Sequence, residues 1–302
     1  MARLQHHEAC FILVLAVSLL IGWRALGETL ALSARDNEYT HILLILPVSA
    51  AVILLEWRFH RPRFCFDFRV GPGLLVVAVL IACYAQLGMS AMPADARLAI
   101  QMVALVLWWI GGFVLCFGFR AARAVLFSLL FLFGLVPLPA LLLDGVIFLL
   151  QEGSAWVAHG LFAAFGVPVI QDGVFLAVPG LTIQVAQECS SIRSSSMLLV
   201  ATMVLAQVLL RSFWRKTLLI GLTVPLSVAK NGLRIFIIAM LAIRVDPGYL
   251  TGKFHRQGGI LFFLIALLGV FALIAILRRG DDLPLSSGRG SAERNAARES
   301  TA

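Results

Sequence analysis

Apolar runs of 18 or more residues recur along this chain, and no other feature limits its fold as strongly. A run of that length matches the hydrocarbon thickness of a bilayer when helical. Spans are expected at about 9–27, 41–57, 71–91, 98–118, 121–139, 190–211, 216–243 and 255–277. The expected fold class is therefore an all-α integral membrane protein with about eight transmembrane helices. Composition agrees: 61% of the residues are hydrophobic and 13% are charged, against about 25% charged in an average soluble chain. The first apolar run could pass for a signal peptide. A first membrane helix fits better, because the polytopic pattern continues directly and no small-x-small cleavage site follows.

The net charge of +8 reads differently in a membrane protein. Lys and Arg mark cytoplasmic loops there rather than a nucleic-acid surface. With a cytoplasmic N-terminus and alternating spans, 15 basic residues fall inside and 5 outside. The other four, Arg24, Arg193, Lys230 and Arg234, lie within spans. This count expects both termini in the cytoplasm and holds only if residues 140–188 stay on the outer side.

Residues 140–165 are apolar enough to be mistaken for another span. Asp144, Gln151, Glu152 and His159 nevertheless fall within about 100° of one another on a helical wheel. Such a stripe suits an interfacial or re-entrant amphipathic helix on the outer side, with a break expected at Gly153. Asp172-Gly173 and Pro179-Gly180 are turn signals between short extended pieces. They predict a short hairpin segment leading to Cys189. Residues 1–280 are expected to form a single polytopic membrane domain. The Ser-, Gly-, Arg- and Glu-rich residues 281–302 read as a disordered cytoplasmic tail.

Five cysteines are scattered without metal-type or CxxC spacing. Cys10, Cys65, Cys83 and Cys116 lie in or beside apolar segments, which suits packing. Cys189 differs, because it sits in Gln187-Glu188-Cys189-Ser190-Ser191-Ile192-Arg193 just before an apolar run. A helix start offers unpaired N–H groups and partial positive charge, both of which favour a thiolate. A packed thiol and a nucleophile are equally good readings of that stretch alone.

Polar groups inside apolar spans are costly and therefore informative. Ser227, Asn231 and Arg234 follow i, i+4, i+7 spacing and share a helix face, and Lys230 lies one turn before Arg234. A buried guanidinium needs an anion, water or developing negative charge. Pairing with Glu188 or Glu152 is the structural alternative. His255 opens the last span, where a His is more often a cap; His41 and His159 compete with it. A Cys, a His and an Arg in one pocket form an acyl-transfer set. The His takes the thiol proton, the thiolate attacks a carbonyl, and the Arg donates to the oxyanion.

Three motifs together resemble the exosortase/archaeosortase family of membrane transpeptidases. They are Glu188-Cys189-Ser190-Ser191-Ile192-Arg193-Ser194, Asn231-Gly232-Leu233-Arg234-Ile235, and Phe254-His255 ahead of the last span. Val136-Pro137-Leu138-Pro139 and Glu38-Tyr39-Thr40-His41 add weaker support. The resemblance covers about residues 36–277. It implies Cys189 as nucleophile, Arg234 as oxyanion stabiliser and His255 as general acid and base, with Glu188, Arg193, Asn231 and His41 in support. It implies exported protein substrates with a C-terminal sorting signal of the PEP-CTERM kind, namely a short motif, a membrane helix and a basic cluster. The cleaved product would pass to a surface glycan or membrane lipid acceptor, from the outer face of a bacterial cytoplasmic membrane. Some relatives carry Arg at the third position. The family's usual Gly is Ser191 here, and Lys230 adds a charge with no assigned role. No cofactor, metal or nucleic acid is implied. A plain Cys protease, a non-catalytic subunit of exopolysaccharide export and a transporter are the competing readings. A transporter would show broken helices in symmetric halves, and no matching half accompanies Pro225 and Gly232.

Overall fold

A computed structural model describes residues 2–60, 64–88, 92–185, 192–250 and 253–279. The chain is an all-α integral membrane protein with one small sheet. Its elements are α1 (Ala2–Arg35), α2 (Ile42–His60), α3 (Val70–Leu87), α4 (Ala94–Phe117), α5 (Phe119–Ala124), α6 (Leu126–Phe131), α7 (Ala140–Ala164), β1 (Ile170–Asp172), β2 (Phe175–Val178), β3 (Leu181–Gln184), α8 (Ile192–Leu209), α9 (Phe213–Arg244) and α10 (Lys253–Arg279). Among the described residues, eight helices are long and apolar enough to cross a membrane. Their outward faces carry large apolar side chains, such as Leu20 at 78% exposure and Leu87 at 86%. Water would penalise that surface, whereas lipid does not.

The chain divides into two compact units at Glu152 and Gly153. In the first, α4 packs along α1 and α3, and Trp109 Nε1 donates to Ser18 Oγ of α1 at 2.8 Å. Cys10 and Cys116 place their sulfurs 3.2 Å apart at one end of this contact. Asp67 anchors the start of α3. Its Oδ1 accepts from the Arg69 and Val70 amides at 2.9 and 3.0 Å, meeting orphan donors of the first turn. Those two amides, Val70 above all, hold the Asp67 carboxyl below the usual carboxylate range.

Two expectations change here. The stretch 121–139 is not one helix. Gly118 ends α4 at φ +87°, and its Cβ position would lie 2.6 Å from the Cys65 carbonyl oxygen, so only glycine fits. The chain then returns as α5, α6 and the 3₁₀ turn Leu132–Leu135. Pro137 and Pro139 then keep it extended. The return reaches the opposite end of α4, where the Ala140 amide donates to Asp95 at 2.6 Å and Tyr39 donates to the Leu138 carbonyl at 2.9 Å. So 119–139 runs the length of α4, about 36 Å at 1.5 Å per residue, in broken pieces.

The second change is α7. It is one unbroken 25-residue helix, long and apolar enough to cross a membrane by itself. Gly153 does not break it. A Cβ there would come within 3.1 Å of Val228 on α9, so this glycine lets α9 approach rather than ending the helix.

In the second unit, α7 from Gly153 onward packs with α9 and the sheet. Ala155, Ala158, Phe162, Leu176, Val178, Val185, Ile235 and Phe236 share one buried cluster. A second cluster joins α8, α9 and α10 through Leu198, Ala206, Leu219, Ala266 and Val270. The sheet has order β1-β2-β3, antiparallel throughout. Its two hairpin turns carry Gly173 at φ +55° and Gly180 at φ +79°. Both expected turns are thus present, and they make two hairpins rather than one.

Candidate active site

The predicted site residues divide by what the structure describes. Glu188 and Cys189 lie outside the described residues. His255 is in the first turn of α10. His41 lies in the first unit just before α2, where its Nδ1 donates to the Glu38 carbonyl at 3.2 Å. The carbonyl can only accept, so this bond places the proton on Nδ1. Arg193 is exposed, at the second position of α8. Asn231 and Arg234 lie on α9.

The centre of the site is a polar stripe on α9. Ser227, Lys230 and Asn231 are only 3%, 6% and 1% exposed, inside an otherwise apolar helix. Arg234 is half-buried one turn beyond Lys230. Side chains at i and i+4 on a helix have Cβ atoms about 5–6 Å apart. Two cations are therefore held close together, deep in an apolar bundle. That costs free energy unless hydrogen bonds offset it.

The stripe is held from two sides. Lys230 Nζ donates to Ser194 Oγ in the first turn of α8. That turn begins three residues after Cys189. On the other side, Asn231 Nδ2 donates to Ser154 Oγ of α7 at 3.0 Å in a buried contact. Gly232 makes this approach feasible. A Cβ at Gly232 would lie 2.5 Å from the Val157 side chain and 2.9 Å from the Ser154 carbonyl oxygen. The segment of α9 that carries Arg234 is thus tied to α8 and packed against the α7 backbone.

Sequence reasoning singled out Asn231 and Arg234 but missed Ser154, which bonds Asn231, and Ser194, which bonds Lys230. Ser194 was one hydroxyl among several, Ser190 to Ser196, and only contact distinguishes it. Ser154 stood beside Gly153 and Ala155, a small-residue stretch that signals close helix approach. Lys230, whose charge had no assigned role, forms a hydrogen bond from α9 to α8. The α7 polar stripe is split: Asp144 is exposed, whereas Gln151, Glu152 and His159 are half-buried.

Among the described residues, no group of three His, Cys, Asp or Glu side chains is arranged to hold a metal ion. A cavity of about 640 Å³ opens in the first unit. Leu15, Ala50, Trp57, Phe113 and Leu129 line it, and Glu8 is its one ionisable side chain. Its walls offer packing surface and no acyl-transfer chemistry.

No curated protein and no solved structure matches the chain. A family model does, over residues 32–272, and that stretch contains all three motifs and the whole α9 stripe. The model describes the transmembrane exosortase (Exosortase_EpsH), and a match over most of the chain shows that this protein belongs to the exosortase family.

Proposed function

We propose that this chain is a Cys-dependent membrane transpeptidase that cleaves a C-terminal sorting signal from exported proteins. The observation that carries the reading is the buried α9 stripe ending at Arg234, tied through Lys230 and Ser194 to the turn that follows Cys189. A guanidinium in an apolar site gives strong stabilisation to a developing oxyanion. Membership of the exosortase family supports the same reading.

In the proposed cycle His255 takes the Cys189 thiol proton. The thiolate attacks the scissile carbonyl, and Arg234 donates to the tetrahedral oxyanion. The C–N bond breaks, a C–S thioester forms, and the amine leaves with the proton from His255. A surface glycan or lipid hydroxyl then loses its proton to His255 and attacks the thioester. The new ester releases Cys189 as thiolate. Water in the acceptor's place would make the same site a protease. Secreted substrates arrive at the outer face of the cytoplasmic membrane, so residues 140–188 are read as the outer-side segment.

The test is co-expression with an exported protein that carries the tripartite signal. Cys189→Ala and Arg234→Ala are expected to leave it at full length. His255→Ala is expected to slow processing by about 10²–10⁴. Normal processing by Cys189→Ala would overturn the reading in favour of a non-catalytic subunit. Mass spectrometry of the new C-terminus separates transfer from hydrolysis.

A further inference from the structure

The sheet packed against α9 ends in an outer strand that Cys189 follows in the sequence. β3 is an outer strand, since the order is β1-β2-β3. Its hydrogen-bond phase follows from one contact, the Val185 amide donating to the Val174 carbonyl at 2.9 Å. Bonded and non-bonded pairs alternate along an antiparallel ladder. With Val174 and Val185 bonded, the Leu176–Ile183 and Val178–Leu181 pairs are bonded too. Thr182 and Gln184 therefore aim their N–H and C=O groups away from β2. Among the described residues, no backbone bond from outside the sheet meets them. Both residues are exposed, whereas Leu181 and Ile183 pack against the buried cluster on the other face.

Proteins usually blunt such an edge with proline, lysine, an inward charge or a bulge. The stretch Leu181–Val185 has none of these. The opposite edge is different. Pro168 precedes β1, Asp172 ends it, and the Gln171 side chain folds back to donate to the Gly173 carbonyl at 3.0 Å. Of the sheet's two edges, β3 is the one whose described residues carry none of these guards.

We propose that the β3 edge binds the substrate's cleavage segment as an added strand. This rests on the transpeptidase reading and names where its peptide docks. Alternating N–H and C=O groups at strand spacing are met fully only by another extended polypeptide. The edge ends at Gln184, five residues before Cys189. Five residues span at most about 17 Å, so a peptide paired with Thr182 and Gln184 has a bond of its own within reach of the thiol. Main-chain pairing supplies affinity with little side-chain selection. Selection then falls to the residues around Cys189 and Arg234.

Proline tests the edge without breaking the sheet, because it removes an N–H that points away from β2. Thr182→Pro and Gln184→Pro are each expected to raise KM for the tailed substrate about tenfold, with kcat within about threefold. Gln171→Pro, the matching change on the β1 edge, is expected to leave KM unchanged. Benzoylphenylalanine placed at 182 in a Cys189→Ala protein is expected to photo-cross-link the substrate. Unchanged KM in both β3 proline variants, or an adduct joining two copies of this chain instead of the substrate, overturns the proposal. Processing by Cys189→Ala itself overturns the underlying reaction. Unprocessed substrate in Cys189→Ala with no adduct overturns the edge alone.

Discussion

Gly232 of α9 lies so close to Ser154 of α7 that a Cβ would stand 2.9 Å from the Ser154 carbonyl oxygen. A backbone oxygen inside a helix cannot swing aside. Gly232→Ala gains about 1 kcal/mol in helix propensity and loses about 1–3 kcal/mol to overpacking. A lower Tm in detergent is expected, together with slower processing as α9 shifts. Gly221→Ala on the same helix meets nothing within 4 Å and is expected to raise Tm. Equal effects of the two changes would contradict the close α7–α9 contact.

Lys230 and Ser194 are expected to act as a unit. Removing Ser194 takes away a hydrogen bond from a charged donor, which costs about 1.5–3 kcal/mol. In a Lys230→Met background that bond no longer exists, so Ser194→Ala should cost far less. A double-mutant cycle on unfolding midpoints is expected to give a coupling of about 0.5–3 kcal/mol. Additive effects would show that the bond does not join α8 to α9 in solution.

Asp67 makes stability depend on pH. Its folded pKa is lowered by the Val70 and Arg69 amides. A lowered folded pKa stabilises the protein above the unfolded pKa, near 4 for Asp. That contribution is lost as pH falls through the folded value. Asp67→Asn keeps an acceptor without the charge. Wild type is expected to have the higher Tm at pH 7, and the gap should close on acidification. A gap that stays constant from pH 7 downward would rule out the charged cap.

The side of the membrane that Cys189 faces depends on α7. If residues 140–188 begin and end on the outer face, basic residues divide 15 inside to 5 outside. If α7 is an additional full crossing, the same residues divide 10 to 10. The strong bias is the arrangement expected of a membrane protein. In a protein whose only cysteine is Cys189, an impermeant maleimide added to intact spheroplasts is therefore expected to label it. Labelling only after lysis would place the thiol inside and remove the proposed route for secreted substrates.

The broad architecture was legible because its signals are local. Apolar runs longer than a bilayer is thick, and glycines at turns, need no partner to be recognised. The shared face of Ser227, Asn231 and Arg234 was legible for a similar reason, since i, i+4, i+7 spacing sets it by helix geometry alone, whereas the three motifs were read from their resemblance to a family. The stretch 121–139 misled because its composition is that of a span, while Gly118, Pro137 and Pro139 act on the backbone. Gly153 misled in the opposite sense, because a glycine that ends a helix and one that admits a neighbouring helix look alike in sequence.

Sequence alone therefore determined that the chain is a helical membrane protein and that Arg234 shares a helix face with Ser227 and Asn231. Tertiary structure alone decided that Lys230 bonds Ser194, that Asn231 bonds Ser154, and that Thr182 and Gln184 turn their backbone groups outward. The physical reason is range. Hydropathy and helical periodicity act within a few turns of one segment. A buried lysine finds its hydroxyl 36 positions away, and a strand finds its edge, only once the helices have packed.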